Sequence, residues 1–195
     1  KPITLTSLSD IQSQRAATPT LAFDAVQQWG GMVVNGFGIT NKCSYTGSVA
    51  TSDLATTDCH VDAEGAAGLD ESQYGGGNND DNSGRLEYVV VKHTGAQVAN
   101  GDELNGISFG GVGRNTIVDH LEVYSTFDDG IEMFGGAVNI SNFVALYVRD
   151  DSIDIDEGYS GTIQNALVIQ AEFYGNQCIE SDCIGSFSGF AAAQI

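Results

Sequence analysis

Basic residues are scarce. Seven Lys and Arg stand against 26 Asp and Glu in 195 residues, a formal net charge of −19 at pH 7. Holding a phosphate backbone takes Lys and Arg, so nucleic acid is excluded as a partner. Direct capture of a polyanionic glycan or an anionic membrane is equally disfavoured unless a cation mediates it. Proline is rarer still, with 2 residues, so the chain is neither a proline-rich linker nor collagen-like, and its strands can donate amides to neighbours on both sides. No stretch approaches the ~20 apolar residues of a membrane helix, which rules out direct membrane insertion by that route. The opening also lacks a methionine and a basic-then-apolar run. Lys1-Pro2-Ile3-Thr4-Leu5-Thr6 alternates like a strand already under way, and we read the chain as a section of a longer precursor. Glycine is abundant, at 25 residues, with 42% hydrophobic and only 17% charged residues. That balance describes one folded domain over residues 1–195 with many tight turns.

The four cysteines form two close pairs, Cys43 with Cys59 and Cys178 with Cys183, at intervals of 16 and 5 residues. None makes a CxxC, and His60 beside Cys59 is the only nearby histidine, so a zinc site is not expected. Two local disulfides, each closing a polar loop, are expected instead, and they place the protein in an oxidising, exported setting.

Between residues 84 and 170 the sequence resembles itself. A strand with apolar residues at its first, fourth and sixth positions recurs as Leu86, Val89, Val91; Val118, Leu121, Val123; Ile140, Phe143, Ala145; and Ile163, Ala166, Val168. The steps are 32, 22 and 23 residues. A second strand follows, centred on Ile107, Ile131 and Ile153, in the segments Asn105–Gly111, Asp129–Gly136 and Asp151–Gly158. Two strand types sharing a period of 20 to 25 residues, with Gly and Asp between them and no helical pattern, predict a parallel β-helix, or β-solenoid. At about 3.3 Å per residue, 22 residues make one coil of three short strands and three turns. Residues 41–83 are expected to be a long loop insertion pinned by Cys43–Cys59, and residues 173–195, where the period fades, a C-terminal loop or cap.

These residues carry a resemblance. Trp29–Gly36, Leu86–Lys92, Glu103–Ile107, Asp128–Gly136 and Asp150–Asp154 look like exported bacterial right-handed parallel β-helix proteins of the surface or lipoprotein type. The resemblance implies a right-handed coil and an extracellular or cell-surface location.

One coil apart in a solenoid is ~4.8 Å. The repeat predicts a column of Glu103, Asp128 and Asp150, a second of Asp129 and Asp151, and Glu132 with Asp154 just beyond the turn. Carboxylates ~5 Å apart repel by ~3 kcal/mol at an effective dielectric of 20. A hard cation between them removes that cost, and Ca²⁺ takes oxygen ligands from such loops. The expected metal residues are therefore Asp128, Asp129, Asp150 and Asp151, with Glu103. Asp154 and Asp156, which alternate with Ile153 and Ile155 and share one strand face, offer a second cation site, a glycan-binding face or a polar exterior. Asn78–Gly84 reads as an Asx-turn loop.

The Asp pattern is also similar to that of polygalacturonases, which implies Asp129, Asp150 and Asp151 as an acid/base set on adjacent coils. The Gly-His-Gly of those enzymes is missing near residue 172, where the chain reads Ala171-Glu172-Phe173-Tyr174, and so is their basic pair. Gly185-Ser186-Phe187-Ser188-Gly189 is no serine elbow, and Gly36-Phe37-Gly38 lacks the rest of a dinucleotide fingerprint. The expected function is an extracellular structural or adhesive β-helix module supported by Ca²⁺, which associates end to end with itself or binds an extracellular glycan. The alternative is a hydrolase or lyase acting on polysaccharides.

Overall fold

The computed structural model describes residues 1–42, 61–65, 72–99 and 102–181. In chain order the elements are β1 (Ile3–Leu5), α1 (Leu8–Arg15), β2 (Met32–Asn35), β3 (Val61–Asp62), β4 (Gln73–Tyr74), β5 (Arg85–Thr94), β6 (Gln97–Ala99), β7 (Asp102–Glu103), β8 (Ile107–Gly110), β9 (Ile117–Thr126), β10 (Ile131–Phe134), β11 (Asn139–Leu146), β12 (Ile153–Asp156), β13 (Thr162–Ile169) and β14 (Glu180–Ser181). Two parallel five-stranded sheets, ordered β1-β5-β9-β11-β13 and β2-β8-β10-β12-β14, alternate along the chain and wind it into a right-handed parallel β-helix. We call them the first and second sheets.

Each coil is registered by like residues. Leu86, Val118, Ile140 and Ile163 pair in sequence, as do Val89, Leu121, Phe143 and Ala166, and then Val91, Val123, Ala145 and Val168. The spacing of first, fourth and sixth positions has a backbone cause. Tyr88, His120, Asn142 and Asn165 sit between the first two positions with φ of 55°, 54°, 56° and 59°. This left-handed residue adds one position to the strand, so the alternation restarts one residue late and all three apolar positions lie on the inward face. Side chains of the column stack outside: the Tyr88 and His120 rings lie 4.5 Å apart, and Asn165 Nδ2 donates to Asn142 Oδ1 at 3.2 Å.

The second sheet contributes Ile107, Ile131 and Ile153 to the core, with Phe109 and Met133, all buried. Among the described residues the third side of the coil, expected as a third short strand, is not a strand. Val112 and Val138 still point into the core there, and Ala137 N donates to Val112 O at 2.8 Å.

Two further expectations change. A helix is present: Ser7 caps α1 by accepting from Asp10 N, and the few apolar residues of that segment gave no 3.6-residue pattern. The coil does not end at residue 172, since β14 pairs with β12 through Asp154↔Glu180. Where residues 41–83 are described, the expected insertion packs back onto the coil. Its β3–β4 hairpin lays Tyr74 beside Phe134, ring centroids 6.1 Å apart, against Ala63 and Val61 on the outer face of the second sheet. Tyr74 Oη donates to both oxygens of Glu157 at 2.9 Å, Thr40 Oγ1 donates at 2.5 Å, and Lys42 Nζ lies 2.7 Å from Glu157 Oε1. The Asx turns expected at Asn78–Gly84 are present, with Asp80 N donating to Asn78 Oδ1 and Gly84 N to Asn82 Oδ1. Of the four cysteines, Cys43, Cys59 and Cys183 lie outside the described residues; Cys178 is exposed.

Candidate functional site

The turn entering the second sheet repeats as Asn105-Gly106, Asp129-Gly130 and Asp151-Ser152, each two residues before the core isoleucine. A stacked column must satisfy one amide per coil, and here the side chains do it. Asp129 N donates to Asn105 Oδ1 at 3.2 Å, Asp151 N to Asp129 Oδ1 at 2.9 Å, and Gln177 N to Asp151 Oδ1 at 2.5 Å. Main-chain bonds run beside this ladder, from Gly106 N to Asp129 O and from Gly130 N to Asp151 O, both 2.8 Å. Glycine is required between them. A Cβ on Gly106 would meet Gly130 O at 2.4 Å, and one on Gly130 would meet Ser152 O at 2.5 Å.

The ladder corrects the expected column. Counting back from the Ile107/Ile131/Ile153 register, Leu104 rather than Glu103 lies level with Asp128 and Asp150. Glu103 instead belongs to the β6–β7 pairing that precedes this turn, where it accepts from Gln97 Nε2 at 2.7 Å. Its charge nonetheless reaches Asp128.

Asp128, Asp129 and Asp150 each offer a carboxylate oxygen, all within 4.8 Å of one another, and Asp129, Glu132 and Asp154 do the same. Asp128 and Asp150 are half-buried, whereas Asp129, Glu132 and Asp154 are buried. Asp154 points away from the core, on the face expected to be open. The hairpin covers that face, and Glu64 on the covering segment adds charge against Glu132. Asp156, on the same strand, joins neither group; it is half-buried and its Oδ1 accepts Glu157 N at 2.6 Å. Asp151 is buried and held in the ladder.

The electrostatics follow. Burial, then Asp150 and Glu103, push Asp128 up to about 6. Burial, then Asp128, push Asp129 up to about 9 despite the hydrogen bond it accepts from the Asp151 amide. Glu132 is driven far above the ordinary carboxylate range by burial and by Asp129, Asp154 and Glu64, against a 2.5 Å hydrogen bond from Asn105 Nδ2. Arg149, next to Asp150 in sequence, turns its guanidinium elsewhere. Its Nη2 donates to Asp24 O at 3.1 Å and its centre lies 5.0 Å over the Tyr174 ring.

Sequence reasoning missed Asn105 as a member of this site, although Asn105-Gly106 occupies the same repeat position as Asp129-Gly130. Glu64 carried no signal, because nothing local says that the insertion folds over the sheet.

The model of the family described as the pectate-lyase-like beta helix domain matches residues 16–194. No curated protein and no solved structure matches the chain.

Proposed function

Because the chain belongs to the pectate-lyase-like β-helix domain family, we propose that it serves as an exported, extracellular β-helix module whose acidic turn binds Ca²⁺. One observation carries this reading: carboxylate oxygens of Asp128, Asp129 and Asp150 converge within 4.8 Å. The donor set fits. It is all oxygen, and two oxygens on opposite sides of a Ca²⁺ with 2.3–2.6 Å bonds stand about 5 Å apart. The second group, Asp129, Glu132 and Asp154, shares Asp129 and would extend the site inward. The raised pKa values are the cost of holding these acids together in the absence of a cation.

The role is structural or adhesive. Asp129 and Asp151 each commit a carboxylate oxygen to a neighbouring coil's amide, which suits ladder members better than a mobile acid and base. With the Arg149 guanidinium directed to Asp24 and Tyr174, that side chain does not serve a substrate carboxylate at this turn.

The test is thermal unfolding of the whole chain with millimolar Ca²⁺ or with chelator, beside assays on acidic polysaccharides. The reading expects a higher Tm with Ca²⁺, a diminished response in Asp150→Asn, and no turnover. An unchanged Tm refutes the metal site. Turnover that disappears in Asp150→Asn replaces the structural role with the enzymatic one.

A further inference from the structure

Away from the acidic turn, the chain between α1 and β2 folds over the end of the first sheet and, with it, lines an open cleft of about 200 Å³. A cavity of about 150 Å³ is enough to hold a six-membered carbon ring. Asp10 on α1 lines one side, Lys92, His93 and Tyr124 from β5 and β9 another, and Leu21 and Phe23 a third. The walls are fixed in advance. Ser13 Oγ accepts from Thr20 N and Leu21 N, both at 2.8 Å, and the Phe23 ring stands edge-on to Tyr147 with centroids 5.3 Å apart. Phe23 is nevertheless 61% exposed, an aromatic surface left open beside a charged pair.

Asp10 is only 5% exposed. Its Oδ2 accepts from Thr6 Oγ1, Gln14 Nε2 and Lys92 Nζ at 2.7, 2.9 and 2.8 Å. Among the described residues its Oδ1 accepts no hydrogen bond, and it faces His93 Nε2 at 3.6 Å, too far for one. Lys92 Nζ also lies 5.2 Å over the Tyr124 ring, which leaves it a donor to spare. Asp10 and Lys92 thus offer one acceptor and one donor, already neutralised as an ion pair, with the His93 ring beside them held through Nδ1 at 2.6 Å from Ala25 O. A charged ligand would have to part that pair, whereas hydroxyl groups can use both remaining valences and leave it intact. A ring with hydroxyls along one edge and C–H bonds on its face matches both walls.

From this we propose that the cavity binds a neutral monosaccharide-sized ring, with hydroxyls on Asp10 Oδ1 and Lys92 Nζ and its C–H face against Phe23 and Leu21. The site is independent of the acidic turn.

Trp29, the only tryptophan, donates from its indole nitrogen to Lys92 O at 2.7 Å and reports on this end of the sheet. The experiment titrates the whole chain with glucose, galactose and mannose, following Trp29 fluorescence and heat, in chelator and again in Ca²⁺. Phenylalanine and acetate serve as charged controls. Saturation by at least one sugar is expected near about 1 mM, equally in both buffers and weakened roughly tenfold in Phe23→Ala and in Lys92→Met. Phe23 is exposed, so its truncation leaves the core intact, and far-UV circular dichroism checks both folds. No saturation by any sugar, saturation unaffected by both substitutions, or preference for the charged controls would overturn the proposal.

Discussion

Replacing Asp129 with asparagine separates the two roles given to this side chain. Its Oδ1 accepts the Asp151 amide at 2.9 Å, and an asparagine carbonyl can take the same bond, as Asn105 does one coil earlier. What changes is ionisation. The carboxyl is pushed from an ordinary 3.8 to about 9, so without a cation the folded protein holds a proton there that the unfolded chain has released. A raised pKa contributes stability that is full below pH 3.8 and declines as pH rises toward 9. Pinning the proton costs about 1.4 kcal/mol per pH unit, hence about 4 kcal/mol by pH 7. That is a large part of the 5–15 kcal/mol net stability of a domain. Asp129→Asn removes the cost, so in chelator at pH 7 the variant should melt about 10 °C higher. The gain should shrink toward pH 4 and grow toward pH 9. In Ca²⁺ the order should narrow or reverse, because the variant loses a charged ligand. Scanning calorimetry from pH 4 to 9, with and without Ca²⁺, reads both effects. A variant less stable than the parent in chelator at pH 8 would show that Asp129 is ionised and already compensated, and the electrostatic argument would fail.

Gly130→Ala brings a Cβ to 2.5 Å from Ser152 O, and we expect about 2 kcal/mol of lost stability in urea unfolding together with weaker Ca²⁺ binding. Glu157 is fully buried at φ 53°, where other coils have Gly111 and Gly135. Glu157→Ala should cost about 3 kcal/mol through the donors left behind on Tyr74 and Thr40, and Glu157→Gly about 1 kcal/mol less because the strained backbone relaxes. Burial tends to raise Asp10, but hydrogen bonds from Lys92, Gln14 and Thr6 hold it down to about 2. A lowered pKa gives stability present above pH 3.8 and lost as pH falls toward 2, so Asp10→Asn should be about 2 kcal/mol less stable at pH 7 and equal to the parent at pH 2, read by acid unfolding.

The coil was legible because its restraint is repeated. Each inward Val, Ile or Phe must stack on its counterpart, so the spacing of Leu86, Val89 and Val91 recurs in each later coil and survives inspection without coordinates. The paired aspartates were legible for the same reason. Glu103 was misplaced because it belongs to the β6–β7 pairing that precedes the turn, and register is set by hydrogen bonds rather than by counting. α1 was missed because it is short and does little to fill the core; its buried residues are Asp10 and Ser13.

Local sequence therefore determined what each coil needs on its own account: the strand pattern, the Gly-bearing turns and the acids beside them. Only the tertiary structure decided which acids are buried. Asp154 and Glu132 lie on a face that alternation alone assigns to solvent, and the hairpin carrying Tyr74 comes from far earlier in the chain to cover it. Removal from water is a property of what packs on a residue from elsewhere, and no neighbour in the chain encodes it.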